Sequence, residues 1–351
     1  MNSRVTINDI AKIAGVSKTA VSFAYNNPAK LSEATRERIL EVAANLGYVR
    51  NAAARSMRTN TTGALGLLLP QNIDVALKNP YYSLLIQGIG EVCQEQGYAL
   101  LLVPPFEEST LKAIPTAAVD GFIISGLEKE RSEVVEIASK HIPLVVIDPQ
   151  ASLEVPTVEI QDDEAIAQLV TRVLEQGHQR FGIAAIETKL GKSYKNWHGV
   201  MGQRMEKIVA AFASHAVTLD ENNLAVYQAP STYEGGIKAF HELQRAINPT
   251  VIIAFSDVIA RGAIRAAQDS GLLVPRDLSV TGYDGIPDYG YSSPVLTTIR
   301  QPIAEKGRIA ADILVKLIQD SATGRGTEDK PTHHVLNAVF VPQATLGGIP
   351  R

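Results

Sequence analysis

From Gly63 onward the sequence alternates short apolar runs with amphipathic stretches, and that alternation restricts the folds open to it. The apolar runs fall at 64–69, 98–103, 121–124, 143–147, 181–186, 224–227, 251–255 and 278–282. Helical spacing of apolar residues lies between them, for instance over 82–95, 163–176, 204–215, 234–246 and 258–269. Strand and helix in alternation mean parallel sheets joined by right-handed crossovers. The number of runs suits two doubly wound halves rather than one. With 351 residues, 45% of them hydrophobic, the chain has enough apolar material for more than one domain and a substantial core.

The first sixty residues have a different character. They carry nine basic and four acidic side chains, a balance of +5, so a formal net charge of −4 leaves −9 for the remainder. A basic head on an acidic body either meets a polyanion or presents a solvated basic surface. Its pattern is helical. Thr6 and Asp9 form a capping box for a helix over residues 7–14, with Ile7, Ile10, Ala11 and Ala14 on one face. Gly15 suits a sharp turn. Ser17 caps a second helix through Tyr25, and Asn26-Asn27-Pro28 stops it. Ser32 caps a third, over residues 33–46, with Ala34, Ile39, Val42, Ala43 and Leu46 as its apolar face and Gly47 at its end. A short helix, a glycine turn and a second short helix make a helix-turn-helix. The bland alternative is a helical hairpin with no nucleic-acid role.

With Val21 and Ala24 inward, Thr19 and Phe23 face outward, Ser22 lies to one flank, and Lys18 sits in the first turn. In the major groove, Lys18 would donate to guanine, Thr19 would bond several bases, and Phe23 would touch a thymine methyl. Ser17 and Ser22 suit phosphates.

The stretches VTINDIAKIAGVSKTAVSFAYNN, LSEATRERILEVAANLGYVRNAAARSMRT and GALGLLLP, in that order, resemble the lactose-repressor/galactose-repressor family of bacterial transcription regulators. The likeness covers essentially the whole chain. It implies an α/β architecture: an all-α helix-turn-helix head (1–49), a hinge helix (50–61), and a two-lobed periplasmic-binding-protein-like body of parallel doubly wound sheets (62–351). The lobes would comprise 62–161 with 293–322, and 162–292 with 323–351. By resemblance, Lys18, Thr19 and Phe23 occupy base-reading positions, although several family members have arginine where this chain has Phe23. In the hinge, Asn51 would cap a helix ordered on DNA, Met57 would wedge into the minor groove, and Arg55 and Arg58 would touch phosphates. The family usually has leucine at the Met57 position, and a plain linker helix is the alternative. Thr6 and Ala54 complete the expected DNA-contact set.

Ligands of such sheets sit beyond the carboxyl ends of the strands. That rule selects Asp148, Ser256, Asp257 and Asp284, together with Tyr81, Tyr82 and Ser83 after the first strand. Arg204 and Asp284 match the family's effector-binding arginine and acidic positions. Asp257 reads better as a helix N-cap than as a ligand contact. Tyr81 and Tyr82 either meet the ligand or pack the lobes together. Ser231 stands where some relatives place an aromatic platform. Trp197, in the long loop over 187–200, either replaces that platform or lies on the surface.

Other functions fit less well. Gly191-Lys192-Ser193 ends like a phosphate loop, but Ile186 replaces the glycine such a loop needs. His333 and His334 lack partners at metal spacing and read as a surface pair. No nucleophile elbow or paired-acid motif is present, so no catalytic residue, metal or cofactor is expected. A solute-binding protein for transport would share the body, but the basic head and the lack of an apolar leader oppose it. The single cysteine, Cys93, permits no internal disulfide, and no apolar run approaches a membrane span, so a cytoplasmic location is expected. The expected partners are double-stranded operator DNA, a small polar effector (a sugar, nucleoside or related metabolite) and a second copy of the chain. The C-terminal FVPQATLGGIPR carries no heptads, which favours a homodimer over a coiled-coil tetramer. Repression is a family expectation.

Overall fold

The computed structural model describes residues 5–48, 61–125, 130–149, 153–188, 191, 193–288, 290, 293–323 and 331–349. The hinge positions Asn51, Ala54, Arg55, Met57 and Arg58 lie outside the described residues. The chain divides into two compact units, residues 1–62 and 63–351.

The first unit is built from α1 (Ile7–Ala14), α2 (Lys18–Asn26) and α3 (Glu33–Asn45). Asp9 accepts the Thr6 N–H at 2.8 Å and the Thr6 hydroxyl at 2.7 Å, fixing the start of α1. Gly15 ends that helix at φ 64°, in the left-handed region that the turn requires. Ser17 Oγ accepts the Ala20 N–H at 3.1 Å and starts α2. The core consists of Ile10, Ala11, Ala14, Val21, Ala24, Ile39 and Ala43. Four of the seven are alanines, so the helices approach closely around few methyl groups. Ala34, expected on the buried face of α3, is exposed, while Val42 and Leu46 pack at the edge of the core.

The second unit opens with β1 (Ala64–Leu68), α4 (Ile73–Ala76), α5 (Pro80–Gln96) and β2 (Ala99–Val103). Next come α6 (Thr110–Ala113), β3 (Gly121–Ser125), α7 (Glu130–Ser139), β4 (Leu144–Ile147) and β5 (Thr157–Gln161). The chain then forms α8 (Asp163–Glu175), β6 (Phe181–Ile186), α9 (Gly199–Ser214), β7 (Leu224–Ala229), α10 (Tyr233–Ile247) and β8 (Val251–Ala254). It ends with α11 (Asp257–Asp269), β9 (Ser279–Asp284), β10 (Thr297–Arg300), α12 (Ile303–Ala322), β11 (His333–Asn337) and β12 (Val339–Val341). One sheet has the order β11-β5-β4-β3-β1-β2 and the other β12-β10-β9-β8-β6-β7. All neighbours are parallel except β10 and β12.

The sheets partition the chain differently from the expected lobes. β10 joins the second sheet, whereas the family resemblance implies 293–322 in the first lobe. β11 joins the first sheet, whereas the resemblance implies 323–351 in the second lobe. The cause is the polarity of these strands: TTIR and HHVLN carry too few apolar residues to register as runs. The chain therefore crosses between lobes at three places, after β5, after β10 and between β11 and β12.

Each lobe also has a helix pair in backbone contact. A Cβ on Gly88 of α5 would lie 1.8 Å from the Ala304 carbonyl oxygen of α12, and one on Gly236 of α10 would lie 2.1 Å from the Ile259 carbonyl oxygen of α11. Only glycine allows either approach. Among the described residues no helix is long and apolar enough to cross a membrane.

Candidate effector cleft and DNA-reading helix

The carboxyl ends of both sheets face a cleft of about 880 Å³, lined from the first lobe by Tyr81, Tyr82 and Asp148 and from the second by Arg204, Ser231 and Asp284. Two of these residues have unusual backbones. Asp148, just past β4, has φ 49°, and Asp284, ending β9, has φ 124°. A side chain in this region costs conformational energy and persists only where its surroundings hold it.

Here the surroundings are a buried hydrogen-bond chain. Ser256 Oγ and Gln301 Nε2 each donate to Asp284 at 3.0 Å. Lys306 Nζ, fully buried on α12, donates to Gln301 Oε1 at 2.6 Å and to Asp148. The chain Asp148–Lys306–Gln301–Asp284 thus joins the acid of one sheet to the acid of the other. Burial, and then the neighbouring Asp257 carboxylate, push the Asp284 carboxyl above the usual carboxylate range.

Arg204, on α9, is 6% exposed. Its Nη1 donates to the Phe255 carbonyl at 3.0 Å, and its guanidinium lies 3.4 Å from the centroid of the Tyr283 ring. Tyr283 in turn donates its hydroxyl to Asp162 at 2.5 Å, and Lys207 donates to the same carboxylate at 2.5 Å. Burial alone would raise Asp162, but Arg204, Lys207 and the Tyr283 hydroxyl hold it below the ordinary value. Arg204 is therefore clamped from behind. Its Nε and, on the opposite lobe, Asp148 Oδ1 are buried without a hydrogen-bond partner. Buried polar atoms in this condition are rare, because each forfeits its hydration.

Several expectations need correction. Ser83 is exposed and does not line the cleft. Ser256 is fully buried and serves as the prop beneath Asp284. Asp257 is not the N-cap of α11; Ser256 holds that position. The Asp257 carboxylate instead accepts the Thr298 hydroxyl at 2.6 Å and the Ile286 N–H at 2.7 Å, tying β10 and the loop after β9 to α11. Trp197 is neither platform nor surface residue. It is 5% exposed in the second lobe's core, with Nε1 donating to the Gly191 carbonyl at 3.0 Å. Ser231 receives a hydrogen bond across the cleft from Asn79 Nδ2 at 3.0 Å. Tyr81 and Tyr82 both line the cleft and meet edge to face at 5.4 Å between centroids.

Sequence reasoning missed Asn79, Ser125, Gln301 and Lys306. A lysine on an amphipathic helix reads as solvated, but Lys306 falls on the stripe of Ile303, Ala310 and Leu314, and that spacing was the available signal. Among the described residues no group of three or more His, Cys, Asp or Glu side chains could hold a metal.

In the head, Thr6, Ser17, Lys18 and Thr19 are exposed, while Ser22 and Phe23 are half-buried. Phe23 is not bare: Lys30 Nζ lies 5.0 Å from its ring centroid.

Comparison with known proteins agrees with this division. Residues 6–51 match the family of bacterial regulatory proteins, lacI family, and residues 170–343 match the periplasmic binding protein-like domain. The chain is 31% identical over 329 residues to the HTH-type transcriptional repressor CytR of Escherichia coli K12, covering 92% of each chain. It is 30% identical over 322 residues to the HTH-type transcriptional repressor PurR of Aliivibrio salmonicida, covering 90% of this chain and 92% of the relative. Among solved structures it resembles a transcriptional regulator CelR–cellobiose complex, with a TM-score of 0.68, 25% identity and coverage of 97% of this chain and 100% of the other. The helix-turn-helix head, the two-lobed body and this likeness along nine-tenths of the chain lead to one conclusion: the protein belongs to the lacI family of bacterial transcription regulators.

Proposed function

We propose that this regulator represses transcription from an operator it binds as a homodimer in the cytoplasm, and that a small polar effector in the cleft adjusts its hold on DNA. One observation carries the effector reading. Arg204 Nε from one lobe and Asp148 Oδ1 from the other, a donor and an acceptor, are both left unserved in the same cleft. A ligand hydroxyl can accept from the first and donate to the second. Asp284 would take a further hydroxyl, and Tyr81 and Tyr82 would form an apolar wall. The complex of a related regulator with cellobiose supports a sugar or a molecule of similar polarity. A ligand gripping both lobes favours one degree of closure. That preference reaches the operator through residues 50–61 and can be no larger than the ligand's own preference between states, typically about 1–3 kcal/mol.

In the head, Lys18 and Thr19 would read base edges, with Phe23 against a thymine methyl and Thr6, Ser17 and Ser22 on phosphates. Asn51, Ala54, Arg55, Met57 and Arg58 would engage the minor groove and its flanks.

The test is Arg204→Ala in the full chain, measured by fluorescence anisotropy on an operator selected with the protein itself. The variant should bind operator as wild type does without effector, yet fail to respond to any sugar or nucleoside that shifts wild-type affinity. A full response from the variant would move the effector site elsewhere.

A further inference from the structure

We propose that Asn79 and Ser231 form a latch that shuts the cleft at the edge away from the crossovers and sets the regulator's hold on operator before any effector binds. This rests on the reading above that lobe closure reaches DNA. Asn79 Nδ2 of the first lobe donates to Ser231 Oγ of the second at 3.0 Å, and both residues line the cleft. Both ends are firmly seated. Asn79 is 6% exposed, and its Oδ1 accepts the Tyr81 N–H at 3.0 Å, capping α5. With the oxygen committed to the cap, the side-chain NH2 is the group left to reach across. Ser231 lies between Pro230 and Thr232. A Cβ on Gly235 would lie 2.1 Å from the Pro230 carbonyl oxygen, and Thr232 Oγ1 accepts the Gly235 N–H at 3.0 Å, so this loop is pressed onto the start of α10.

Position gives this bond its leverage. The crossovers gather at one edge of the sheets. Ala338, between β11 and β12, donates its N–H to the Gln161 carbonyl at the end of β5 at 2.9 Å, and β10 pairs with β12. Ser231 follows β7 by two residues, at the opposite edge of the second sheet, and β7 is four strands from β10. Two bodies hinged along one edge part most at the other. A hydrogen bond there resists an opening that a bond beside the crossovers would hardly feel. Net of the hydrogen bonds that water offers in exchange, one such bond shifts an equilibrium roughly fivefold, which tunes it without locking it.

Lobe separation and operator binding, measured on the full chain without effector in one variant series, test this. Nitroxide labels go on Lys112→Cys and Lys238→Cys, an exposed site in each lobe, in a Cys93→Ala chain, and double electron–electron resonance reads the distance between them. Asn79→Asp keeps the cap, and its carboxylate accepts the Ser231 hydroxyl, so the parent chain's distances are expected. Ser231→Ala removes the partner and should raise the ratio of open to closed chains roughly fivefold. Asn79→Asp combined with Ser231→Asp sets two carboxylates face to face, and their repulsion should make the longer distance dominant. Operator affinity, read by fluorescence anisotropy, should move in the same order and by at least threefold in the double variant, its sign showing which arrangement holds DNA. The parent chain's distances in the double variant, with its cooperative melt intact, overturn the latch. Longer distances with unchanged operator affinity overturn its regulatory role. Neither result touches the Arg204 site, which fails separately if Arg204→Ala keeps a full effector response.

Discussion

The two lobes share one plan, a six-stranded doubly wound sheet flanked by helices, yet they treat their buried charge differently. In the second lobe, Asp162 has two hydrogen-bond donors, Lys207 and Tyr283, and lies in the field of Arg204. The Lys207 side chain keeps 27% of its surface in water. In the first lobe, the Lys306 side chain is 0% exposed, and the ion pair leaves Asp148 with one oxygen unserved. The second lobe is redundantly braced and holds Arg204 ready in advance. The first has no spare donor, and its acids wait for a ligand. Such a pairing of a rigid wall with an undersupplied one suits a cleft that closes on what it binds.

The largest expected effect is Lys306→Met. It strands a buried carboxylate and should cost about 3–5 kcal/mol in urea unfolding. The matching change in the other lobe, Lys207→Met, leaves Asp162 its tyrosine and should cost about 1 kcal/mol. Equal losses would erase the distinction between the lobes.

Tyr283→Phe sharpens it further. The ring under Arg204 remains, and only the hydroxyl to Asp162 goes, so a loss of about 1 kcal/mol is expected, with Lys207 still in place. A loss as large as that of Lys306→Met would show that the tyrosine, and not redundancy, supports the second lobe.

A smaller effect should appear with pH at the base of the second lobe. His178 is buried, between the Thr250 hydroxyl at 3.0 Å and the Gly347 carbonyl at 3.1 Å. Burial pushes its pKa down to about 4, against an ordinary value of 6.5. The unfolded chain therefore binds the proton first, and stability falls as pH drops from 6.5 towards 4. Thermal melts of wild type and His178→Gln across that interval should converge at low pH. Parallel curves would exclude this residue as the cause.

Much of this molecule was legible because its signals are local. Gly15, Ser17 and Ser32 mark the head's turn and caps within a few residues of sequence, and VIIAF or PLVVI announces a strand by itself. β5, β10 and β11 were silent, because they hold polar residues and take their places in the sheets from the strands they pair with. The cleft was legible at Asp148 and Asp284, which sit where strands end, and at Arg204 only through the family resemblance. Gln301 and Lys306 were not: Lys306 matters through Asp148, 158 positions away, and Gln301 matters as the link from Lys306 to Asp284. Trp197 misled for the opposite reason: a loop tryptophan suggests a surface, but here the loop folds it into the core.

The most direct test of a ligand held from both lobes is calorimetric affinity for the sugar or nucleoside that most stabilises the wild-type chain, measured in Arg204→Ala, Asp148→Asn and the double variant. Each single change should weaken binding at least tenfold, about 1.4 kcal/mol. The double variant should lose less than the sum, because once one lobe lets go the other holds the ligand poorly. Wild-type affinity in either single variant would contradict a two-sided grip.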